Sequence, residues 1–494
     1  MSTANLPIAL YSAAEVRELD RAAIERGVPG YELMCRAGAA TVGALRRTWP
    51  AARHIAVLVG AGNNGGDGYV IARLLANQGL RVGLWTLADP DKLQGDAARA
   101  RDDALALGLA TGPFGPEALK GADVVVDALL GTGLERPVTG PWADAIAAVN
   151  DSAVPVLAVD IPSGLQADTG RVMGAAIAAA ATVTFIGLKR GLFTGRGPAL
   201  CGSVHFDDLQ VPPDIYSEVR SSAARYCGED RPQLLPPRPR DAHKGHHGHV
   251  LVVGGDHGMA GAVRMAGEAA ARVGAGLVSV ATRKSHAGVQ AAIRPELMFR
   301  GVESPDALGP LLQRADVIAL GPGLGRAEWG RTLWQLAVAS HQPLVVDADA
   351  LNILAQSQDR ARRWVLTPHP GEAARLLECS VGEVEADRFA AAAAICERYR
   401  GVCVLKGAGT IVHGPDEPSA VVQGGNPGMA SGGMGDVLTG IIAGLLAQGL
   451  GFTAAARLGA WVHAAAGDRA AAAGERGLLA LDLVAELRRL VNPA

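Results

Sequence analysis

Asn64, Asp67, Asp127, Asp160 and Ser163 each stand just behind a short apolar run in the first half of the chain. Asp127 ends "VVV", and Asp160 and Ser163 follow "VLAV". In a parallel α/β sheet the strand C-termini share one edge, where ligands bind, so residues far apart in sequence can converge there. Carboxylates at such an edge can move protons. Amide, hydroxyl and carboxylate oxygens together suit a hard cation or a ribose-like group. For any one of these aspartates the plainer alternative is an N-cap or a loop residue.

The stretch "VLVGAGNNGGDGYVIARLL" (57–75) runs from strand through a Gly/Asn loop into an amphipathic helix. Gly60, Gly62 and Gly65 satisfy the dinucleotide fingerprint, whose glycines let backbone N–H groups approach a pyrophosphate. Asp67 argues against that use. Two unit charges about 4 Å apart repel by about 1 kcal/mol in water and by several times that when partly desolvated. Asn63 and Asn64 add carbonyl oxygens that a simple phosphate nest does not need.

The second half carries "NPGMASGGMGDVLTGIIAGLLAQG" (426–449). Gly432, Gly433 and Gly435 open a helix with apolar positions at helical spacing from Val437 onward. Backbone N–H groups at that N-terminus can hold an oxyanion. Asp436 in the first turn reads either as a dipole-favoured carboxylate, worth about 0.3–1 kcal/mol, or as a base beside a phosphate hole.

These residues need two scaffolds. Runs at 54–60, 81–87, 123–131 and 154–164 are near-continuous apolar strands, as in a parallel sheet covered on both faces. The polar, proline-rich segment after Val211 interrupts the alternation, which resumes at 249–255, 276–282, 316–323, 343–351, 364–372 and 402–414. The expectation is an α/β protein with a first domain at 1–215, a linker at 216–242 and a second domain at 243–494. A net charge of −3 over 494 residues gives no polyanion signal, so nucleic acid is not an expected partner. The six cysteines form no C-x-x-C pair and read as buried apolar residues in a reducing compartment. The lead-in "MSTANLPIALYSAAEVRELDRAAIERG" lacks a signal's basic and apolar regions. The Ala-rich stretch 174–188 falls short of a membrane span. A cytoplasmic protein without a membrane partner is expected.

"GAGNNGGDG", "DALLGTGL" and "VDIPSG", in that order, resemble the NAD(P)H-hydrate epimerase family from about Tyr11 to Val211. The resemblance implies a Rossmann-like three-layer domain that interconverts the R and S hydrates of NADH and NADPH. It places substrate contacts on Asn63, Asn64, Gly65, Gly66 and Asp67, on Gly131, Thr132, Gly133, Leu134, Glu135, Arg136 and Pro137, and on Asp160. It places K⁺ on Asn64, Asp127 and Ser163. Asp160 is the candidate acid/base. The loop at 60–67 thus meets a nicotinamide nucleotide as a damaged substrate, not as a redox cofactor.

"GMGD" after its glycines resembles the anion hole of the ribokinase-like superfamily. "HKG", "GGDHGMAGA", "GPGLG", "DADALN", "TPHPGE" and "KGAGT" resemble its NAD(P)H-hydrate dehydratase branch from about His243 to Asn492. The resemblance implies substrate contacts at Ala262, Gly323, His369 and Asp436. It implies nucleotide contacts at Lys406, Gly407, Ala408, Gly409, Thr410, Asn426, Gly432, Gly433 and Gly435, with Asp436 as catalytic base. Mg²⁺ is expected with the nucleotide. ADP is taken as the phosphoryl donor, although the family also has ATP-dependent members and the motifs do not separate them. His369 between prolines could instead cap a turn, Asp347 could cap a helix, and Lys406 could be a solvated charge. The extra histidines in "HKGHHGH" imply no ligand geometry.

The resulting expectation is one chain with an epimerase and a dehydratase, acting on hydrated NADH and NADPH with ADP and assembling as a homo-oligomer. A ribokinase-like kinase of a vitamin precursor with a regulatory N-terminal domain, and a non-catalytic nucleotide sensor, stay open as alternatives.

Overall fold

The computed structural model describes residues 6–357, 359–360, 363–415 and 417–492. Residues 1–5 of the lead-in lie outside them. The chain divides into two compact units, Met1–Ala224 and Arg225–Ala494.

In the first unit a seven-stranded, fully parallel sheet runs in the order Thr111–Pro113, Arg81–Thr86, His54–Val59, Val124–Ala128, Val156–Val159, Ala181–Phe185, Ser203–Asp207. The chain builds outward one way from His54–Val59 and then the other way from Val124–Ala128. The crevice beyond these two strand ends is therefore a topological switch point, the usual ligand position in such sheets. Val57, Val59, Val124 and Val126 are wholly buried with Val70, Ile71 and Leu75 of the helix Asn63–Asn77. Each fully buried side chain of this kind contributes about 1.5–3 kcal/mol. That packing fixes where the helix begins, and so where Asn63, Asn64 and Asp67 stand.

The Ala-rich stretch 174–188 contains the strand Ala181–Phe185. Among the described residues no helix is long and apolar enough to cross a membrane. Leu188–Lys189 forms a two-residue strand paired in parallel with Ala9–Tyr11, which also pairs antiparallel with Ala223 and Ala224.

In the second unit the strands follow the order Met298–Gly301, Leu277–Thr282, His249–Val253, Val317–Leu320, Leu344–Val346, Trp364–Leu366, Val402–Leu405, Ile411–His413, Ser419–Val422. All are parallel up to Val402–Leu405, and the last two turn antiparallel. The switch point lies between His249–Val253 and Val317–Leu320. The helix Met434–Ala447 packs on Ala260–Arg272 and buries Val437, Leu438, Ile441, Ile442 and Leu445.

The segment read as a linker is not featureless. It holds the strand Ala223–Tyr226 and the short helix Arg231–Leu234, and the division of the chain falls inside that strand. "AARY" is too short to carry a legible alternation. A fragment ending at residue 215 loses the partners of Ala9 and Leu10. It should therefore unfold at a lower temperature than a fragment ending at 224, by calorimetry; equal Tm values would show that the pairing contributes nothing.

Candidate active sites

A cavity of about 830 Å³ opens at the first switch point. It is lined by Asn63, Asn64, Asp67, the whole run Gly131–Pro137 and Asp160, so most of the residues read from the first three motifs converge. Gly65 and Gly66 do not line it. A Cβ on Gly65 would lie 2.1 Å from the Gly60 carbonyl oxygen, and one on Gly60 would lie 1.8 Å from the Leu129 carbonyl oxygen. These glycines are used up by loop-to-loop packing. Burial, with Asp160 and Asp20 nearby, pushes the Asp67 carboxyl well above the usual range, against Lys189.

Asp160 sits at φ +67°, a region that Asp and Asn tolerate better than most residues. Its Oδ1 accepts from Thr184 Oγ1 (3.3 Å), from the Phe185 N–H (3.4 Å) and from Lys189 Nζ. Burial pushes the neighbouring Asp20 up to about 6.

Asp127 and Ser163 are wholly buried. Ser163 Oγ and N–H donate to the Asp127 carboxylate at 2.6 and 2.8 Å, and the Leu130 N–H donates to Ser163 Oγ at 2.8 Å. Burial pushes Asp127 up to about 6, against the hydrogen bonds from Ser163 and Leu129. Asn64 is buried, and neither atom of its side-chain amide has a hydrogen-bond partner among the described residues. A buried, unpaired amide costs about 1–3 kcal/mol, so an oxygen-seeking cation is the kind of group that would satisfy it.

In the second unit Lys406, at the end of Val402–Leu405, is no solvated charge. Its Nζ lies 2.7 Å from Asp347 Oδ1 and 3.8 Å from Glu372 Oε2. Thr439 Oγ1 donates to Asp347 Oδ2 at 2.9 Å. Asp347 begins the helix Ala348–Leu354 but does not cap it with its side chain. Burial works against the Asp347 charge, yet Lys406, Thr367 and Thr439 hold its pKa below the ordinary value. Burial likewise works against the Lys406 ammonium, and Asp347 and Glu372 raise it. Burial pushes Glu372 up to about 7.

Gly433 (φ +90°) starts the helix Met434–Ala447. A Cβ on Gly435 would lie 3.3 Å from Lys406 Nζ, so the helix N-terminus and the ammonium share one corner. Burial pushes the Asp436 carboxyl up to about 7, with Asp347 adding to the shift and Lys406 opposing it. Ala262 and Gly323 meet around Met259. His369 does cap a helix: its Nδ1 accepts from the Gly371 N–H at 3.0 Å, while its Nε2 lies 3.5 Å from Glu372 Oε1. Thr410 Oγ1 bonds the Gly407 carbonyl at 3.0 Å, and Gly407 (φ +139°) packs on the Arg388 guanidinium. Asn426 is tied instead to Gly428 and Asp468, and Gly432 is exposed.

Residues 250–489 match the family model described as NAD(P)H-hydrate dehydratase, and residues 30–191 match that of the YjeF-related protein N-terminus. The bifunctional NAD(P)H-hydrate repair enzyme Nnr of Coxiella burnetii is 50% identical over 485 residues, covering 98% of this chain and 99% of that protein. The chain belongs to the family of bifunctional NAD(P)H-hydrate repair enzymes. The relative of the same name in Escherichia coli K12 is 46% identical over 494 residues, with 99% and 95% of the two chains covered. A solved ribokinase-like superfamily protein from Enterococcus faecalis V583 is 30% identical at a TM-score of 0.51, covering 55% of this chain and 95% of its own.

Three polar residues at these candidate sites escaped the sequence reading: Asp20 and Lys189 in the first unit, and Glu372 as a partner of Lys406. Glu372 could have been found, because "HPGE" spells a helix start with an acid at its third position. Lys189 sits in "GLKRG", which reads as a surface basic pair.

Proposed function

We propose that the two sites divide the repair of hydrated NAD(P)H: the cavity of the first unit exchanges the R and S forms, and the Asp436 corner of the second dehydrates the S form. The single observation that carries the reading is the Asp436 carboxyl. It is half-buried and accepts no hydrogen bond among the described residues, yet it stands in the first turn of the helix whose N-terminus approaches the Lys406 ammonium.

In the first site the ring nitrogen's lone pair expels the hydroxyl as water once a carboxylic acid supplies a proton. Water then adds to the opposite face and gives its proton to a carboxylate. Asp160 takes both parts in turn, the flat ring cation turning about its bond to the ribose between them. Gly131–Pro137 and Asn63 hold the nucleotide. Asn64, Asp127 and Ser163 offer oxygens that suit K⁺: the Asn64 carbonyl oxygen is buried and unmatched among the described residues, and the Asp127 carboxylate is held by Ser163. When bound, K⁺ would supply a fixed positive charge there. Asn64→Ala should raise the half-activating K⁺ concentration of R/S interconversion by about tenfold or more without lowering Tm, because no protein hydrogen bond is lost. Unaltered K⁺ dependence would remove Asn64 from the ligand set.

In the second site Asp436 takes the proton of the ring hydroxyl while that oxygen attacks the terminal phosphorus of ADP, and AMP leaves. The ring nitrogen then expels phosphate, a far better leaving group than hydroxide. Loss of a proton from the adjacent carbon restores NAD(P)H. Lys406 and the N–H groups of the helix N-terminus hold phosphate oxygens. The donor set suits Mg²⁺, which takes one or two carboxylates and fills its shell with water and phosphate oxygens. When bound with the nucleotide, the ion would supply charge neutralisation. Rates with ADP and ATP, measured side by side, test the donor.

A base must be ionised to act, and Asp436 is pushed up to about 7. Dehydration should therefore fall as pH drops through 7, approaching tenfold per unit below it, and level off above. The midpoint belongs to Asp436, Glu372, Asp347 and Lys406 together. A flat kcat from pH 6 to 8 would contradict Asp436 as base.

Among the described residues none of the six cysteines forms a disulfide, which suits the reducing cytoplasm. Exposed Val289 and Ile293 on one helix suit a homo-oligomer; sedimentation tests this.

A further inference from the structure

The two oxygens of the Asp160 carboxylate live in different surroundings. Oδ1 is held three times, by Lys189 Nζ, by Thr184 Oγ1 and by the Phe185 N–H. Oδ2 accepts no hydrogen bond among the described residues, and Asp160 lines the cavity. Lys189 is 1% exposed. Besides Asp160 it donates to Thr184 Oγ1 and to the Phe185 carbonyl, both at 3.1 Å, so its three protons have three partners. A lysine so buried is tolerated only when paired. The two-residue strand that carries it is pinned to Ala9–Tyr11, so the ammonium cannot follow the carboxylate elsewhere.

We propose that Lys189 is the positioning residue of the first site: its ammonium anchors Oδ1 of Asp160, with Thr184, and leaves Oδ2 as the atom that exchanges protons with the substrate. This rests on the reading of the cavity as the epimerase site. The ammonium also offsets the Asp160 charge in a corner that holds two further carboxyls, Asp20 and Asp67. A carboxylate free to rotate about its side-chain torsions spends most of its time out of line with the ring carbon, so the loss should appear in kcat rather than KM.

The test uses the full chain, with pure R hydrate of NADPH and chiral separation of the two forms. Lys189→Ala should lower kcat roughly 10²-fold with KM nearly unchanged, and propylammonium, admitted through the cavity, should restore the rate saturably. Lys189→Ala combined with Asp160→Asn should be no slower than Asp160→Asn alone, because residues acting through one group do not add. Thr184→Val, which removes one Oδ1 bond with little change in shape, should show a smaller loss in kcat, and it decides the matter if Lys189→Ala does not fold. A normal kcat for Lys189→Ala, a loss that adds to that of Asp160→Asn, or an unaltered kcat for Thr184→Val would overturn the proposal. If Asp160→Asn itself interconverts the hydrates at the wild-type rate, the reading of the site fails instead.

Discussion

Asp436→Asn is expected to slow dehydration of the S hydrate by about 10²–10⁴-fold, the usual contribution of a positioned general base. ADP affinity should scarcely change. The amide matches the carboxylate in shape, and the groups that would hold the nucleotide, Lys406 and the helix N-terminus, keep their places. Lys406 stays paired with Asp347 at 2.7 Å, and Asp347 with Thr439. Folding should not suffer, since a carboxyl raised to about 7 by burial is already uncomfortable as an anion. Losing the charge could even tighten ADP slightly by removing a repulsion toward phosphate. Three readings on one variant check this: recovery of NADPH absorbance from the S form, ADP binding by calorimetry and R/S interconversion. Near-normal recovery would remove Asp436 as the base, and loss of all three would mean general unfolding.

Much of both sites was legible because parallel sheets put strand ends at one edge. Apolar runs marked the strands, and the polar residue behind each run marked the edge. Asp127, Asp160, Asp347 and Lys406 all lie where that rule puts them. The rule could not say which residue meets which. Asp347 reads as a helix cap until the fold brings Lys406 to its side chain, a contact between residues 59 positions apart. Lys189 needs the short pairing with Ala9–Tyr11 to become buried. Asp20 lies on an amphipathic helix whose pattern does not reveal that one polar residue faces a cavity. The strands Met298–Gly301 and Ser419–Val422 also went unseen. The first is half exposed and the second too short for a period.

The second large effect belongs to the first unit. Asp160→Asn should cut R/S interconversion by about 10²–10⁴-fold and leave dehydration of the S form intact. The backbone at φ +67° suits asparagine as well as aspartate, so the turn should survive. The amide oxygen still gives Lys189 an acceptor, but the side chain can no longer take or return a proton. The ammonium loses its countercharge, and breaking a buried pair typically costs about 3–5 kcal/mol. Here Thr184 and the Phe185 carbonyl still satisfy two of its three protons, so the fall in Tm should be smaller than that cost implies. A folded variant that interconverts the hydrates normally would leave Asp160 as a strand-end residue held by Lys189 and nothing more.

The central claim is that one chain carries two separate sites acting in series on one damaged cofactor. Recovery of NADPH from pure R hydrate with ADP, K⁺ and Mg²⁺ tests it most directly, using Asp160→Asn, Asp436→Asn and an equimolar mixture of the two. Each variant alone should recover NADPH slowly: the first because little S form is made, the second because S form accumulates. The mixture should approach the wild-type rate, since each variant supplies the site that the other lacks. If Asp160→Asn alone converts the R form as fast as the wild type, or the mixture is no faster than its slower member, the two-site account is wrong.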